Sequence, residues 1–188
     1  HLKLSLLLND NYDNNEIDKS SALLLEKAIA TNELRLIKIC LKLRIKIVTK
    51  YLKEKKRAVS IYKEHIKYLK PNNVINIHWT SCVVDFYYQW SGSIYCKDNP
   101  DEAKKDLDLC QEFIYKRHDS NDWTELIEAY FNARKSLLKA TENYADLKTV
   151  CEQHMDLLTK TIGKKSNQYA NACYEYADCF KWEKDYEN

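Results

Sequence analysis

Apolar residues recur every three or four positions along most of the chain, and short polar stretches interrupt them. This spacing is typical of amphipathic helices. The interruptions lie at 9–15, 31–32, 71–73, 98–100, 118–122, 141–143 and 163–166. The pattern predicts helices over 16–30, 33–52, 56–69, 74–96, 100–117, 122–139, 143–162 and 167–183. Residues 1–8 are expected to be the end of a further helix.

The composition restricts the fold class further, because the 188 residues include only 2 Gly and 2 Pro. A chain this poor in both is expected to have few positive-φ residues and few tight turns. That excludes all-β folds, which need turn residues about every ten positions. Gly92 and Gly163 alone cannot build a glycine-rich phosphate loop. An all-α fold remains.

Four short polar turns, at 53–56, 98–99, 142–143 and 184–185, follow one another at intervals of about 42 to 45 residues. A period of this length in a helical chain predicts stacked helical hairpins. The hairpins are expected at 33–69, 74–117, 122–162 and 167–188, and the last of them is incomplete. We expect residues 1–188 to be one helical-repeat domain, an excerpt of a longer array in which 1–30 is the remnant of a preceding repeat.

The repeated residues resemble the tetratricopeptide-repeat superfamily, whose first helix has a large–large–small–large pattern followed by a polar turn. Two segments match it, with Ala177 and Ser91 as the small residues that would let helices cross closely. They comprise Cys173, Tyr176, Ala177 and Phe180 before Asp185-Tyr186-Glu187, and Tyr87, Trp90, Ser91 and Ile94 before Ala103, Leu107 and Cys110. The period is similar to the long-helix repeats of kinesin light chains. The resemblance implies a right-handed α-solenoid of antiparallel hairpins.

Positive charge is concentrated in one segment of a nearly neutral chain. Residues 33–70 have a net charge of +10, whereas the rest of the chain has −8. Lys42, Lys46 and Lys50 are spaced four apart and therefore form a row along one helix. The row is interpreted either as a solvated face or as a surface for an acidic protein partner. Nucleic acid and membrane are less favoured, since phosphate sites usually use arginine and lysine predominates here.

Aromatic and polar side chains supply the other candidate binding residues. Tyr88 and Tyr95 share a helix face that could be either packed or exposed for recognition. The tetratricopeptide resemblance places Asn171, Tyr174 and Lys181 on the inward face of the last helix, together with Asp178. The resemblance also predicts that no carboxylate clamp is present, because Asp178 occupies a position where the clamp uses an amide.

The reactive side chains suggest no catalytic site. Seven Cys without a C-x-x-C pair are expected to be reduced and buried. Cys151 and His154 would provide half of a zinc site, and no second half is recognisable. The His residues have no Ser/Asp or Cys/Asn companions at a recognisable spacing. We therefore expect no enzymatic activity in this segment, no metal and no cofactor.

Together these observations predict a protein–protein interaction scaffold inside the cell, and the cytoplasm is the favoured location. It would bind a peptide or a partner subunit through a concave groove or an exposed helix face, and an acidic partner is one of the candidates. Two alternatives stay open. The chain could be the helical accessory domain of an enzyme such as a SET–MYND-type methyltransferase, or a structural subunit within a large assembly.

The lysine row provides a first test. If Lys42, Lys46 and Lys50 bind an acidic partner, changing all three to Glu should slow association, and added salt should weaken binding of the parent protein. A merely solvated face predicts equal capture at low and high salt. It also predicts a thermal melt at or above the parent's, since repulsion between like charges four residues apart is relieved. Partner capture at two salt concentrations, with thermal melts, separates the two interpretations.

Overall fold

The computed structural model describes residues 13–90, 99–116 and 124–185, and all regular structure in these ranges is helical. The α-helices are α1 (Asn14–Ala30), α2 (Leu34–Lys50), α3 (Lys55–His65), α4 (Ile77–Trp90), α5 (Pro100–Tyr115), α6 (Thr124–Ala140), α7 (Tyr144–Thr161) and α8 (Asn167–Asp185). Two short 3-10 helices, Ile66–Leu69 and Pro71–Asn73, connect α3 to α4. The predicted all-α class is confirmed. The helix expected at 1–8 lies outside the described residues.

Helix α4 begins three residues later than predicted, and an N-cap explains the difference. The side-chain oxygen of Asn76 accepts hydrogen bonds from the backbone N–H groups of His78 (2.9 Å) and Trp79 (3.1 Å). These donors have no partner in the first turn of a helix, so an Asn at this position fixes where the helix starts. The Asn76 amide also donates to the carbonyl of Leu69 (2.7 Å), which ties the cap to the preceding 3-10 turn.

Several turns use positive φ without glycine, so the expectation drawn from the low glycine content is wrong on this point. Five such residues occur in the described ranges: Asn32, Lys53, Asn72, Asn73 and Glu142. Three of them are Asn, whose short polar side chain tolerates the left-handed region. At Glu142 the turn is a Schellman motif. The Asn143 N–H donates to the Leu138 carbonyl (2.9 Å), and the Glu142 N–H donates to the Lys139 carbonyl (3.3 Å).

The chain divides into two compact units, residues 1–82 and 83–188, with the boundary inside α4. In the first unit, α1 packs on α2, and α2 packs on α3 and on the following 3-10 turn. Its core comprises buried side chains from these elements, among them Ile17, Leu25, Ile37, Leu41, Val48, Ile61 and Leu69. Sequence neighbours are therefore also neighbours in space.

In the second unit, α5 packs on α6, α6 on α7, and α7 on α8. Its core includes Leu107, Phe113, Ile127, Tyr130, Phe131, Leu147 and Leu158. Helix α8 buries Ala172 and Cys179, which lie seven residues apart on one face. Ala177 is exposed among the described residues, and the close helix crossing that the tetratricopeptide pattern assigns to it stays a prediction. Five residues separate Ala177 from Ala172, a rotation that carries it to another face. Ser91 lies outside the described residues.

Helices α1–α3 and α6–α8 form two similar triplets, and corresponding positions lie 110 residues apart. Helix α6 begins and ends 110 residues after α1, and α7 begins 110 residues after α2. Buried positions coincide, as in the pairs Ile17 and Ile127, Ile37 and Leu147, Leu41 and Cys151, Val48 and Leu158, and Leu69 and Cys179. Corresponding helices of the two triplets are five places apart in the chain order, an odd number. The correspondence between the triplets therefore disagrees with the predicted hairpins. There, α2 is the first helix of its hairpin, whereas α7 is the second helix of its own.

The Schellman turn yields a stability prediction. Glu142→Gly should raise the free energy of unfolding by about 0.5–1 kcal/mol. Left-handed backbone costs a non-glycine residue about 1–2 kcal/mol, and the greater unfolded-state entropy of glycine offsets only part of this. Urea denaturation measures the change.

The control is Gln153→Gly, at an exposed position inside α7. This substitution should lower stability by about 1 kcal/mol, because glycine in a helix interior is unfavourable. A loss of stability in Glu142→Gly similar to that in Gln153→Gly would contradict the assigned turn.

Candidate functional site

A buried arginine joins the helices of the first triplet. Arg44, on α2, is only 5% exposed. Its Nη1 donates to the carbonyl of Asp18 (2.8 Å) and to the hydroxyl of Ser21 (2.7 Å) on α1, and it also bonds the Asp18 carboxylate. From α3, Arg57 reaches the other carboxylate oxygen of Asp18 (2.7 Å) and also pairs with Glu54 (2.8 Å). One carboxylate therefore ties three helices together.

Asp18 is held in its charged form by these two arginines. Burial alone would raise the pKa of Asp18, but hydrogen bonds and charge from Arg57 and Arg44 outweigh it, and the pKa lies below its ordinary value of 3.8. A buried guanidinium without a counter-charge would be strongly destabilising. The carboxylate and the two arginines are therefore one structural unit.

The equivalent positions of the second triplet are occupied by different side chains. Asp18 corresponds to Glu128, Arg44 to His154 and Arg57 to Asn167, each 110 residues further along. His154 is 1% exposed, and its ring stacks on Phe131 with ring centroids 4.3 Å apart. The same pair of helices thus has an imidazole where the first triplet has a guanidinium.

A buried lysine lies against this histidine. Lys135, on α6, is 3% exposed, and its Nζ lies 3.3 Å from Nδ1 of His154 and bonds the carboxylate of Glu175 on α8. These two contacts link α6 to α7 and to α8.

The other side of the ring faces Glu128. Nε2 of His154 lies 3.4 Å from Oε1 of Glu128, and both atoms are buried. Neither atom makes a hydrogen bond within the described part of the chain. Because buried polar groups are almost always hydrogen-bonded, this pair is an unusual feature of the interior.

A cleft of about 430 Å³ opens beside this pair, between α6 and α8. Its lining includes both members of the pair and is rich in amide and carboxylate groups. The lining residues are Glu128, Asn132, Lys139, His154, Gln168, Asn171, Ala172, Tyr174, Glu175 and Asp178. The cleft thus presents several hydrogen-bonding side chains on one concave surface.

The structure places three of the predicted binding residues at this cleft. Asn171 and Tyr174 line it directly, and Tyr174 is 66% exposed. Lys181 binds Asp178, another lining residue, at 2.6 Å, and its Nζ lies 5.8 Å from the centre of the Tyr174 ring. The hydrogen bond and the charge of Asp178 raise the pKa of Lys181 above its ordinary value.

The other predicted residues lie elsewhere. Lys46 and Lys50 are exposed on α2, whereas Lys42 is half-buried and engaged in an interaction. The expectation that all three are exposed is therefore wrong for Lys42, because that part of the row is partly covered. Tyr88 is 53% exposed on α4. Tyr95 lies outside the described residues.

Sequence reasoning missed Glu128, Lys135 and Glu175, and it considered His154 only as half of a zinc site. These residues stand on three different helices, so no local spacing connects them. The only available signal was the 110-residue offset, which places Glu128 and His154 where Asp18 and Arg44 stand. The offset becomes visible only when buried positions are compared.

The cysteines are buried as predicted at five positions, whereas Cys173 is half-buried. The sulfur atoms of Cys151 and Cys179 lie 3.7 Å apart, joining α7 to α8 next to Lys135 and Glu175. Burial, with the neighbouring thiol, raises the pKa of Cys151 to about 12. The described ranges contain no group of three or more His, Cys, Asp or Glu side chains arranged to hold a metal ion.

None of the helices in the part of the chain that the structure describes is both long and apolar enough to cross a membrane. Comparison with protein-family models, with curated proteins and with solved structures finds no match for this chain.

The lowered pKa of Asp18 gives a pH prediction. Stability due to this group should be fully present above its unfolded-state pKa, near 3.8, and should be lost as the pH falls through the lower folded-state value. Asp18→Asn should lower the unfolding free energy by about 2 kcal/mol at pH 7, because Arg44 then lacks its counter-charge. The difference from the parent should shrink as the pH approaches 3.

Urea denaturation between pH 7 and pH 3 measures this difference. Glu26→Gln, at an exposed position on the same helix, is the matched control and should change stability by less than about 0.5 kcal/mol. If parent and Asp18→Asn lose stability in parallel over the whole pH range, Asp18 does not have the assigned role.

Proposed function

We propose that this chain is a helical protein-interaction module that binds an extended segment of a partner protein in the cleft between α6 and α8. The observation that carries the proposal is the 430 Å³ cleft itself, whose lining is rich in side-chain amides and carboxylates. Peptide binding of this kind was expected for a helical scaffold, and the predicted residues Asn171 and Tyr174 line this cleft.

The chemistry of the lining suits a peptide. Asn132, Gln168 and Asn171 present side-chain amides, each of which can donate to a peptide carbonyl and accept from a peptide N–H. Tyr174 adds a large, largely exposed ring with a hydroxyl group, a combination enriched where proteins bind one another. Such a lining can bind main chain without requiring one particular sequence.

The wider architecture is also part of the proposal. Helices that pack on their sequence neighbours within each unit are what a right-handed solenoid of helical hairpins would require. The tetratricopeptide resemblance stays a prediction, as do the accessory-domain and assembly-subunit alternatives. Six cysteines without disulfides in the described ranges support an intracellular, cytoplasmic location. A separate acidic partner would use the exposed lysines Lys46 and Lys50.

A peptide-display selection against the full chain tests the function. Selected peptides should bind the parent, whereas Asn171→Trp should weaken binding at least tenfold by filling the cleft. Ala170→Trp, at an exposed neighbouring position that does not line the cleft, is the matched control and should leave binding unchanged. Fluorescence anisotropy with labelled peptides measures the dissociation constants. Equal affinities for the parent and both variants would exclude the cleft as the binding site.

A further inference from the structure

We propose that the cleft between α6 and α8 takes the guanidinium group of an arginine side chain on the bound partner segment, with Glu128 as its counter-charge. This inference rests on the proposed function and adds the identity of the anchoring side chain. It is based on a comparison of the two triplets. In the first triplet, arginines of the chain itself bind the carboxylate, and in the second an arginine of the partner would bind it.

The first triplet shows how this fold satisfies a carboxylate between its helices. Asp18 accepts from two guanidinium groups, one on each of the other two helices. With Glu54, which pairs with Arg57, the cluster has two carboxylates and two arginines. The two positive and two negative charges of the cluster cancel, and Arg44 occupies its interior position.

In the second triplet both guanidinium groups are absent. His154 replaces Arg44 and Asn167 replaces Arg57, so neither position brings a permanent positive charge to Glu128. A third replacement creates space, because Ala172 stands where the first triplet has the buried Tyr62. Both Ala172 and His154 line the cleft. The cleft thus lies where larger or longer side chains fill the first triplet.

The other charges near Glu128 are engaged elsewhere. Lys135 pairs with Glu175 and contacts Nδ1 of His154, whose Nε2 lies 3.4 Å from Oε1 of Glu128. Lys181 balances Asp178. Lys139 also lines the cleft, but it is three helical turns from Glu128 along α6, roughly 16 Å away. In the described part of the chain no lysine or arginine pairs with Glu128.

A guanidinium fits this position better than an ammonium does. Its planar group has five N–H donors and can bond several acceptors at once. Around Glu128 the cleft supplies further acceptors, the side-chain oxygens of Asn132 and Asn171. Glu128 itself lines the cleft, and its side chain is 25% exposed, so the carboxylate can be approached from the cleft. Charge-assisted bonds of this kind are also what the first triplet uses.

The experiment uses N-acetyl-arginine methylamide as a probe, with the citrulline and lysine analogues as comparisons. Citrulline keeps the shape of the arginine side chain and removes its charge. Isothermal titration calorimetry and the NMR signals of the His154 ring should detect arginine binding to the full chain. We expect citrulline to bind at least tenfold more weakly and lysine several-fold more weakly. Equal binding of the three compounds would overturn the proposal.

Two pairs of variants assign the binding to this cleft. Glu128→Gln should weaken arginine binding about tenfold, whereas Glu125→Gln, exposed on the same helix, should not. Asn167→Arg restores the arginine of the first triplet, so it should raise the melting temperature and abolish probe binding. Asn167→Ala should do neither. A raised melting temperature in Asn167→Arg would show that any loss of probe binding is not due to unfolding. Retained probe binding in this stabilised variant would overturn the proposal.

Failure of this proposal can be distinguished from failure of the proposed function. If display-selected peptides bind in the cleft but tolerate replacement of every arginine by citrulline, the arginine anchor is wrong and peptide binding stands. If the probe binds through Glu128 but Asn171→Trp leaves peptide affinity unchanged, the proposed peptide site is wrong and the guanidinium site stands as a pocket for a free small molecule. That second result also overturns the assignment to a partner segment.

Discussion

A charge buried between helices needs an opposite charge next to it, and the structure depends on this requirement. Arg44 stands inside the first triplet with almost no contact with water, and it is tolerated because Asp18 accepts from it on the neighbouring helix. That pairing fixes which faces of α1 and α2 meet, and Arg57 brings α3 to the same carboxylate. A purely apolar interface would allow these helices to slide or rotate more freely, since hydrophobic contact has little directionality.

The second triplet meets the same requirement in a different way. Its cation, Lys135, comes from α6 and pairs with α8, and a stacked histidine stands where the arginine would be. Buried positions recur at the 110-residue offset, whereas the polar group between the helices changes. Packing of matched buried positions therefore sets the framework, and the polar cluster determines whether the space between the helices is closed or open.

Much of the fold could be predicted from the sequence, because apolar spacing encodes helices directly. The bounds of α1, α2 and α7 lie within two residues of the prediction. The start of α4 was missed because one capping side chain, Asn76, decides it. Packing of α8 on α7 buries Ala172, a position that the family pattern had not singled out. Asn171 and Tyr174 were identified, whereas Glu128 and Lys135 depend on contacts between distant helices.

Packing between consecutive helices also bears on how the chain folds. Each triplet is built largely from contacts between sequence neighbours, and such low contact order favours rapid folding. The polar links join residues further apart, 26 positions for Asp18 and Arg44 and 40 for Lys135 and Glu175. Closing these longer loops costs more chain entropy than forming one hairpin. We therefore expect the hairpins to assemble first, with the charged groups still hydrated, and the ion pairs to form as the third helix docks and water leaves.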